Sequence, residues 1–350
     1  MSTIKVGVIG AGGIAPSHCE GVLKHPNGEL LAIADTHPGR AKEIQERYAV
    51  PKVYTEVNTL INDADLDAVS IGLPTFLHAE VAIAALESGK HVMLDKPFAM
   101  SRTEAVKVIE TAKKMNKVFA VGMNQRFNES AQTIKAIVER GELGEIYHAE
   151  TYWCRRTGAP KFGTWFNDKS KSGGGTLLDI GVHALDLCLY LIGNFEPERV
   201  SGAAYTKFGN RGIGEGGWGR SDVGEQVFDV DDFATALIKL EGGATVILKT
   251  SWVRHQADIS QMDLEIFGTE AGAHVYPPKI CRFSKTPGEY EVVEPQNVKL
   301  RHPSCDRIVN WIDAILGEDE LECKPEQSLA VQKIIDAIYE SSNTGKEVAI

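Results

Sequence analysis

Directly after an apolar run, Ile4 to Ile9, the chain reads Gly10-Ala11-Gly12-Gly13-Ile14-Ala15 and passes into a helical pattern. A strand that ends on glycines and opens a helix leaves few folds available, because each small residue answers a steric demand. Gly10 makes the turn, Gly12 keeps a side chain out of the path of a pyrophosphate, and Ala15 lets helix and strand pack closely. Backbone N–H groups around Gly13 and Ile14 then face the phosphates at the helix N-terminus. Asp35 closes the next apolar run, Leu30 to Ala34, and stands where a carboxylate bonds the adenosine ribose hydroxyls, with Thr36 beside it. That favours NAD over NADP, since a 2′-phosphate there meets like charge that Arg40 offsets only in part.

The alternation continues. Ala68 to Leu73, His91 to Leu94 and Val118 to Val121 read as further buried strands, with room between them for crossover helices. Strands alternating with helices predict a parallel sheet covered on both faces. Beyond Gly122 the pattern changes. A helix predicted over residues 129–140 stops at Gly141, which suits a left-handed cap. A long strand over 146–156 follows, then strands over 233–240, 245–252 and 262–268 around glycine turns such as Glu241-Gly242-Gly243. The expected fold is therefore α/β, with a dinucleotide-binding domain over 1–122 and a second α/β domain over 123–350 built on an open, mainly antiparallel sheet. A late amphipathic helix, about 326–342, carries Val331, Ile334, Ile335 and Ile338 at helical spacing and is expected to dock on one of the two cores, the first domain being one option.

Composition narrows the function classes. With 37 basic and 48 acidic residues the 350-residue chain has a formal charge of -11, which disfavours phosphate backbones and anionic lipid, so neither nucleic acid nor membrane is expected as a partner. No apolar run approaches the ~18 residues of a membrane span, and Met-Ser-Thr-Ile-Lys lacks the basic region and apolar core of a signal peptide, which gives a cytoplasmic expectation. Six cysteines (Cys19, Cys154, Cys188, Cys281, Cys305, Cys323) are scattered without a Cys-x-x-Cys pair, as reduced packing thiols would be, and no metal site is expected.

Three more segments complete a set: Gly72-Leu73-Pro74-Thr75-Phe76-Leu77-His78, Gly89-Lys90-His91-Val92-Met93-Leu94-Asp95-Lys96-Pro97, and Gly173-Gly174-Gly175-Thr176-Leu177-Leu178-Asp179-Ile180-Gly181-Val182-His183. With the glycine turn, and in this order over nearly the whole chain, they resemble the Gfo/Idh/MocA family of oxidoreductases. The resemblance implies an N-terminal Rossmann domain, a C-terminal domain whose open sheet builds homodimers or homotetramers, and hydride exchange between a nicotinamide and a sugar-like alcohol. It also implies that Lys96, Asp179 and His183 form the catalytic group. Asp95 replaces the commoner glutamate of the lysine motif, a shorter arm with the same charge.

The residues speak independently of the family. Leu177 to Ile192 is apolar almost all round, yet Asp179, His183 and Asp186 share one stripe of it, and a polar stripe on a buried helix needs partners. An internal hydrogen-bond cluster explains such a stripe as well as a site does. Lys96 precedes Pro97 just past a parallel strand's carboxyl end, the edge where such sheets bind ligands. Oxidising a secondary alcohol requires a base with a pKa near working pH, a role that falls to His183. Lys96 is then the donor to the alcohol oxygen, and Asp179 holds a substrate hydroxyl or orients His183. Leu73, Pro74, Thr75, His78, Asp95, Lys96, Gln125 and Trp165 are candidate cofactor contacts, while Asn124, Tyr152 and Arg156 join Lys96, Asp179 and His183 on the substrate side. For His78 a structural role at the helix start competes with ligand contact. The Gly209–Arg220 stretch reads as a mobile surface loop or as a lid whose Trp218 closes over a ligand or reaches a neighbouring subunit. The leading expectation is an NAD-dependent dehydrogenase of a cyclic polyol, meaning an inositol, a sugar or a glycoside. The alternatives are an NAD-dependent glycosidase that oxidises its substrate transiently and a non-enzymatic dinucleotide-sensing regulator.

Overall fold

The structure, a computed structural model, describes residues 3–219, 227–284, 286–303 and 305–350. It divides into two compact units. The first runs through Met123 and takes in Cys305–Leu329; the second holds the remainder.

In the first unit six strands lie parallel: β1 (Ile4–Ile9), β2 (Gly28–Ala34), β3 (Lys52–Tyr54), β4 (Ala68–Ile71), β5 (His91–Leu94) and β6 (Phe119–Val121). Their order, β3-β2-β1-β4-β5-β6, reverses direction between β1 and β4, the switch point at which such sheets bind ligands. β1 and β4 are buried along nearly their whole length, as strands covered on both faces must be. The core groups Val6, Val8, Ile33 and Met93 with Cys19 and Val22 of the helix Ala15–Lys24.

Ile308, Trp311 and Ile312 belong to that same core. A boundary at residue 122 assigned the whole later chain to the second domain; the segment 305–329 instead packs in the first unit. The reason is local. Asp306 caps the helix Arg307–Leu316 by accepting the N–H groups of Ile308 and Val309 at 2.8 and 3.0 Å, which fixes where its apolar face begins. Ile308 and Ile312 are almost wholly buried, each contributing about 1.5–3 kcal/mol.

The second unit carries nine strands among the described residues: β7 (Ile146–Arg155), β8 (Pro197–Tyr205), β9 (Phe233–Leu240), β10 (Thr245–Ser251), β11 (Ser260–Gly268), β12 (Gly272–His274), β13 (Lys279–Phe283), β14 (Tyr290–Val293) and β15 (Val348–Ala349). They run in the order β14-β13-β12-β11-β7-β10-β9-β8-β15, antiparallel except where β7 meets β10. Ala149 and Thr151 of β7 are buried, and the Thr151 hydroxyl approaches the Ala184 carbonyl of the helix Val182–Ile192 at 3.4 Å, so one sheet face is covered by that helix. His148, Glu150 and Tyr152 alternate onto the opposite, half-exposed face.

The helix Pro325–Thr344 buries Val331, Ile334, Ile335 and Ile338 in this second unit. From Ala330 on it docks beside β8, where a Cβ on Gly202 would stand 2.9 Å from Ile338; its first residues, Pro325–Leu329, belong to the first unit. The stretch Lys169–Ile192 is long and apolar enough by composition to span a membrane, but 89% of that window is buried inside the unit. All six cysteines are free thiols.

Candidate active site

In the first unit the backbone makes the site. Gly10 has φ 98°, and a Cβ there would lie 2.3 Å from the Gly72 carbonyl oxygen, so only glycine fits the turn. At Gly12 and Gly13 the opposite holds: an added Cβ would meet nothing within 4 Å. That empty space over a helix start, where Ile14 offers no side-chain cap, matches what a dinucleotide pyrophosphate requires. Asp35 braces the turn, accepting the Ala11 N–H at 2.7 Å on one oxygen and the His37 N–H at 2.7 Å on the other. Thr36 is exposed beside it and Arg40 half-buried. Leu73 and Pro74 are half-buried, and Thr75 is buried with its hydroxyl lacking a hydrogen-bond partner among the described residues. An orphaned hydroxyl at the carboxyl edge of the sheet is a further fit to a bound nicotinamide cofactor.

Asp95 and Lys96 follow β5 at the same edge. The Asp95 carboxylate lies 3.7 Å from His18 and 3.8 Å from Arg307. Burial alone would raise its pKa, but His18, Arg307 and Lys96 hold it well below the usual carboxylate range. His18 is fully buried, its Nδ1 2.7 Å from the Ser70 hydroxyl, and burial pushes its ionisation down. His78 is not turned outward. Its ring nitrogens lie 2.7 Å from the Pro97 carbonyl and 2.8 Å from the Leu73 carbonyl, so both face the protein and no ring nitrogen is left for a cofactor contact.

In the second unit the site is made by side chains from distant parts of the sequence. The helix expected over residues 177–192 begins as a π-helical turn, Leu177–Gly181, and becomes α-helical only from Val182. Asp179 and His183 are each 8% exposed. The Asp179 carboxylate accepts the indole N–H of fully buried Trp252 at 2.8 Å, and the His183 ring lies 6.0 Å from that of Trp153. Asp186, the third member of the stripe, belongs to a different cluster. Arg126 donates to both its oxygens at 2.8 and 2.6 Å and lies over Tyr190 and Phe195, a wholly buried structural ion pair.

The entry to the helix is clamped. Asp231 accepts the N–H groups of Gly175 and Leu177 at 2.7 and 2.9 Å and the Tyr339 hydroxyl at 2.6 Å. Burial and the Asp231 carboxylate push the Tyr339 phenol well above its ordinary range. Side chains are excluded here, because a Cβ on Gly174 would sit 2.0 Å from the Tyr339 oxygen and one on Gly175 1.9 Å from the Asp231 carbonyl oxygen. Sequence reasoning missed Trp252, Asp231 and Tyr339. The first and last lie far along the chain, and only the pairing of two aspartates before an alternating strand hinted at Asp231.

Two substrate candidates are displaced. Tyr152 sits on the face of β7 opposite Trp153, because side chains alternate along a strand, and its phenol is pushed up by burial and then by Asp263. Arg156 is exposed and donates to the Ala257 carbonyl at 3.2 Å. Beside His183 stands Trp153 instead, with the Arg155 guanidinium 5.5 Å over its indole. Asn124 is exposed and Gln125 half-buried on the turn Asn124–Phe127. Trp165 stacks on Phe166 at 3.8 Å, and Trp218 meets Phe166 edge-on at 5.2 Å. The Trp218 indole donates to the Gly158 carbonyl at 2.9 Å and its backbone carbonyl accepts from Lys161 at 2.7 Å, so this part of the glycine-rich stretch is pinned to its own unit rather than loose. Arg220 lies outside the described residues. His25, Asp313 and Glu318 bring ligand-type atoms within 4.8 Å, but His25 accepts the Asn27 N–H through Nδ1 and pairs with Asp313 through Nε2.

Comparison with known proteins fits this arrangement. Residues 4–123 match the model of an oxidoreductase family with an NAD-binding Rossmann fold, and residues 131–274 match the Gfo/Idh/MocA C-terminal domain. The chain is 29% identical over 350 residues to the D-glucoside 3-dehydrogenase of Escherichia coli K12, covering 100% of this chain and 98% of that one. It is 31% identical over 294 residues to the levoglucosan dehydrogenase of Pseudarthrobacter phenanthrenivorans, covering 77% and 73%. A levoglucosan dehydrogenase solved with NADH and L-sorbose superposes with a TM-score of 0.85 over 100% of this chain and 99% of that one, at 24% identity.

Proposed function

The chain belongs to the Gfo/Idh/MocA family of oxidoreductases and carries its NAD-binding Rossmann fold; from that premise we propose that it oxidises a secondary alcohol of a cyclic polyol, an inositol, a sugar or a glycoside. The observation that carries the reading is the pairing, on one buried helix turn, of His183 against Trp153 with Asp179 held by Trp252. An imidazole, an oriented carboxylate and aromatic side chains are what a polyhydroxylated ring demands: a proton acceptor, a fixed hydroxyl partner and an apolar surface.

Bound NAD supplies the hydride acceptor. Gly12 and Gly13 would leave the space for its pyrophosphate, Asp35 would accept its ribose hydroxyls, and Thr75 would offer it a hydroxyl. His183 takes the hydroxyl proton of the substrate as the alcohol is oxidised, since imidazole alone among side chains ionises near neutrality without large perturbation. Lys96 donates to the same oxygen and stabilises its developing negative charge. Asp179 is a ready acceptor for a neighbouring substrate hydroxyl, because Trp252 has already fixed its direction.

The test is NADH formation across a panel of inositols, aldoses and glycosides. Oxidation of at least one ring polyol to the corresponding ketone supports the reading, and tight NAD binding with no turnover on any of them overturns it in favour of a sensor. The half-exposed face of the second unit's sheet, with His148 stacked on Phe267 at 5.6 Å and Glu150 and Tyr152 beside it, mixes aromatic and polar groups as association surfaces do. We accordingly expect a homodimer or homotetramer; a monomer mass by light scattering at micromolar concentration would count against this.

A further inference from the structure

Lys96 stands as a single residue between two anchors. On one side the Asp95 N–H donates to the Ile71 carbonyl at 2.8 Å, continuing the pairing of β5 with β4. On the other, the Pro97 carbonyl lies 2.7 Å from Nδ1 of His78. His78 opens the helix His78–Glu87 and is 1% exposed. Its other nitrogen reaches the Leu73 carbonyl at 2.8 Å, in the loop after β4 at the carboxyl edge of the sheet.

We propose that His78 is a positioning residue for Lys96, acting through the contact of its Nδ1 with the Pro97 carbonyl. The inference rests on the catalytic role given to Lys96 above. Its chemistry is specific. Both acceptors are carbonyl oxygens, and neither can donate, so each bond needs a proton on the ring. A neutral imidazole has one N–H, and burial pushes the ionisation of His78 down despite its two carbonyl partners and nearby Asp95. Only a nitrogen that carries a proton donates, and we place that proton on Nδ1, toward the Pro97 carbonyl at 2.7 Å. If the proton is on Nδ1, the peptide that follows Lys96 is tied to a helix start rather than left to move. Lysine has four side-chain torsions, so fixing its backbone on both sides is the direct way to hold the amine within reach of one oxygen. The Leu73 contact makes the same ring a link between the loop after β4 and the lysine turn.

Asparagine and glutamine separate the two contacts, because an asparagine amide can place a donor near the position of Nδ1 and a glutamine amide near that of Nε2. His78→Asn thus keeps the reach to Pro97, and His78→Gln keeps the reach to Leu73. Three readouts apply to each full-length variant: thermal melting, kcat and KM on an oxidised polyol, and the rate at which an amine-acylating reagent labels Lys96, followed by mass spectrometry. Melting should fall by similar amounts in both. His78→Gln should lower kcat about tenfold with little change in KM, and change the Lys96 labelling rate about threefold or more; His78→Asn should stay within about threefold in kcat. Equal losses in the two variants, tracking melting alone, would overturn the proposal, as would a larger loss in His78→Asn. The unaltered protein gives a check that needs no variant: nitrogen-15 NMR of the ring should show the Nδ1–H tautomer, and the Nε2–H tautomer would contradict it. Labelling needs no substrate. A shifted labelling rate in His78→Gln alongside normal turnover in Lys96→Ala would leave the positioning intact and remove the catalytic role of Lys96.

Discussion

Asp95 in the first unit and Asp231 in the second are both carboxylates set beside proposed site residues, and they are held in opposite ways. Asp95 stands among cations and potential cations, with His18 and Arg307 at 3.7 and 3.8 Å. Asp231 is held by neutral donors, two backbone N–H groups and a phenol. The surroundings differ in the same sense: Gly12 and Gly13 open onto empty space, whereas Gly174 and Gly175 are packed against Tyr339 and the Asp231 backbone. The first half is thus built to receive a charged group from outside, and the second to fix its own helix. They should fail differently.

The largest contrast is between two glycine-to-alanine changes. Gly175→Ala places a Cβ 1.9 Å from a backbone carbonyl oxygen that cannot move aside cheaply, so it should lower unfolding stability by about 3 kcal/mol or more in urea titration. Gly12→Ala puts its methyl into open space, so its urea midpoint should match the unaltered protein while NAD affinity falls about tenfold or more by fluorescence titration. A stable Gly175→Ala, or a Gly12→Ala that binds NAD normally, would erase the contrast.

A smaller effect should follow from Trp252→Phe. It removes the N–H given to Asp179 and keeps most of the packing, and a hydrogen bond to a carboxylate is worth roughly 1.5–3 kcal/mol. Substrate KM should rise and kcat fall, about tenfold in their ratio, with NAD affinity unmoved; an unchanged ratio would mean that Asp179 needs no such orientation.

The smallest concerns acid. Because the folded pKa of Asp95 lies below its unfolded value, its contribution is complete above that unfolded value, about 4, and is lost as pH falls from there through the folded pKa. Asp95→Asn should flatten the loss of stability between about pH 4 and pH 2 by about 1 kcal/mol, read from urea midpoints. An acid limb equally steep in the variant would show that the cations around Asp95 do not favour its charged form.

The same difference explains what could be read from the residues. The glycine turn, Asp35 and the strand that leads into Lys96 are local: each is specified by neighbours in sequence, and the parallel sheet follows from alternating apolar runs. The second unit's sheet and its helix were also legible from periodicity. Its site was less so, because Trp252 reaches Asp179 and Tyr339 reaches Asp231 across long stretches of chain, and no periodicity records such pairings. Asp186 shared a stripe with Asp179 and His183, yet only the fold shows that Arg126 claims it. Tyr152 lost its place to Trp153 by one step of strand alternation, a shift that composition cannot reveal. The segment 305–329 returns to the first unit for a related reason: its apolar residues do not name their partners, and only the packing of Trp311 and its neighbours does.

The central claim is that His183 accepts the proton of the substrate hydroxyl. It is tested most directly by the pH dependence of turnover in His183→Ala on a polyol that the unaltered enzyme oxidises. The unaltered enzyme should gain rate with pH through one histidine-like ionisation, and the variant should lose that rise together with about a hundredfold or more in kcat while binding NAD nearly as before. Near-normal turnover in His183→Ala, with the rise in pH intact, would contradict the assignment.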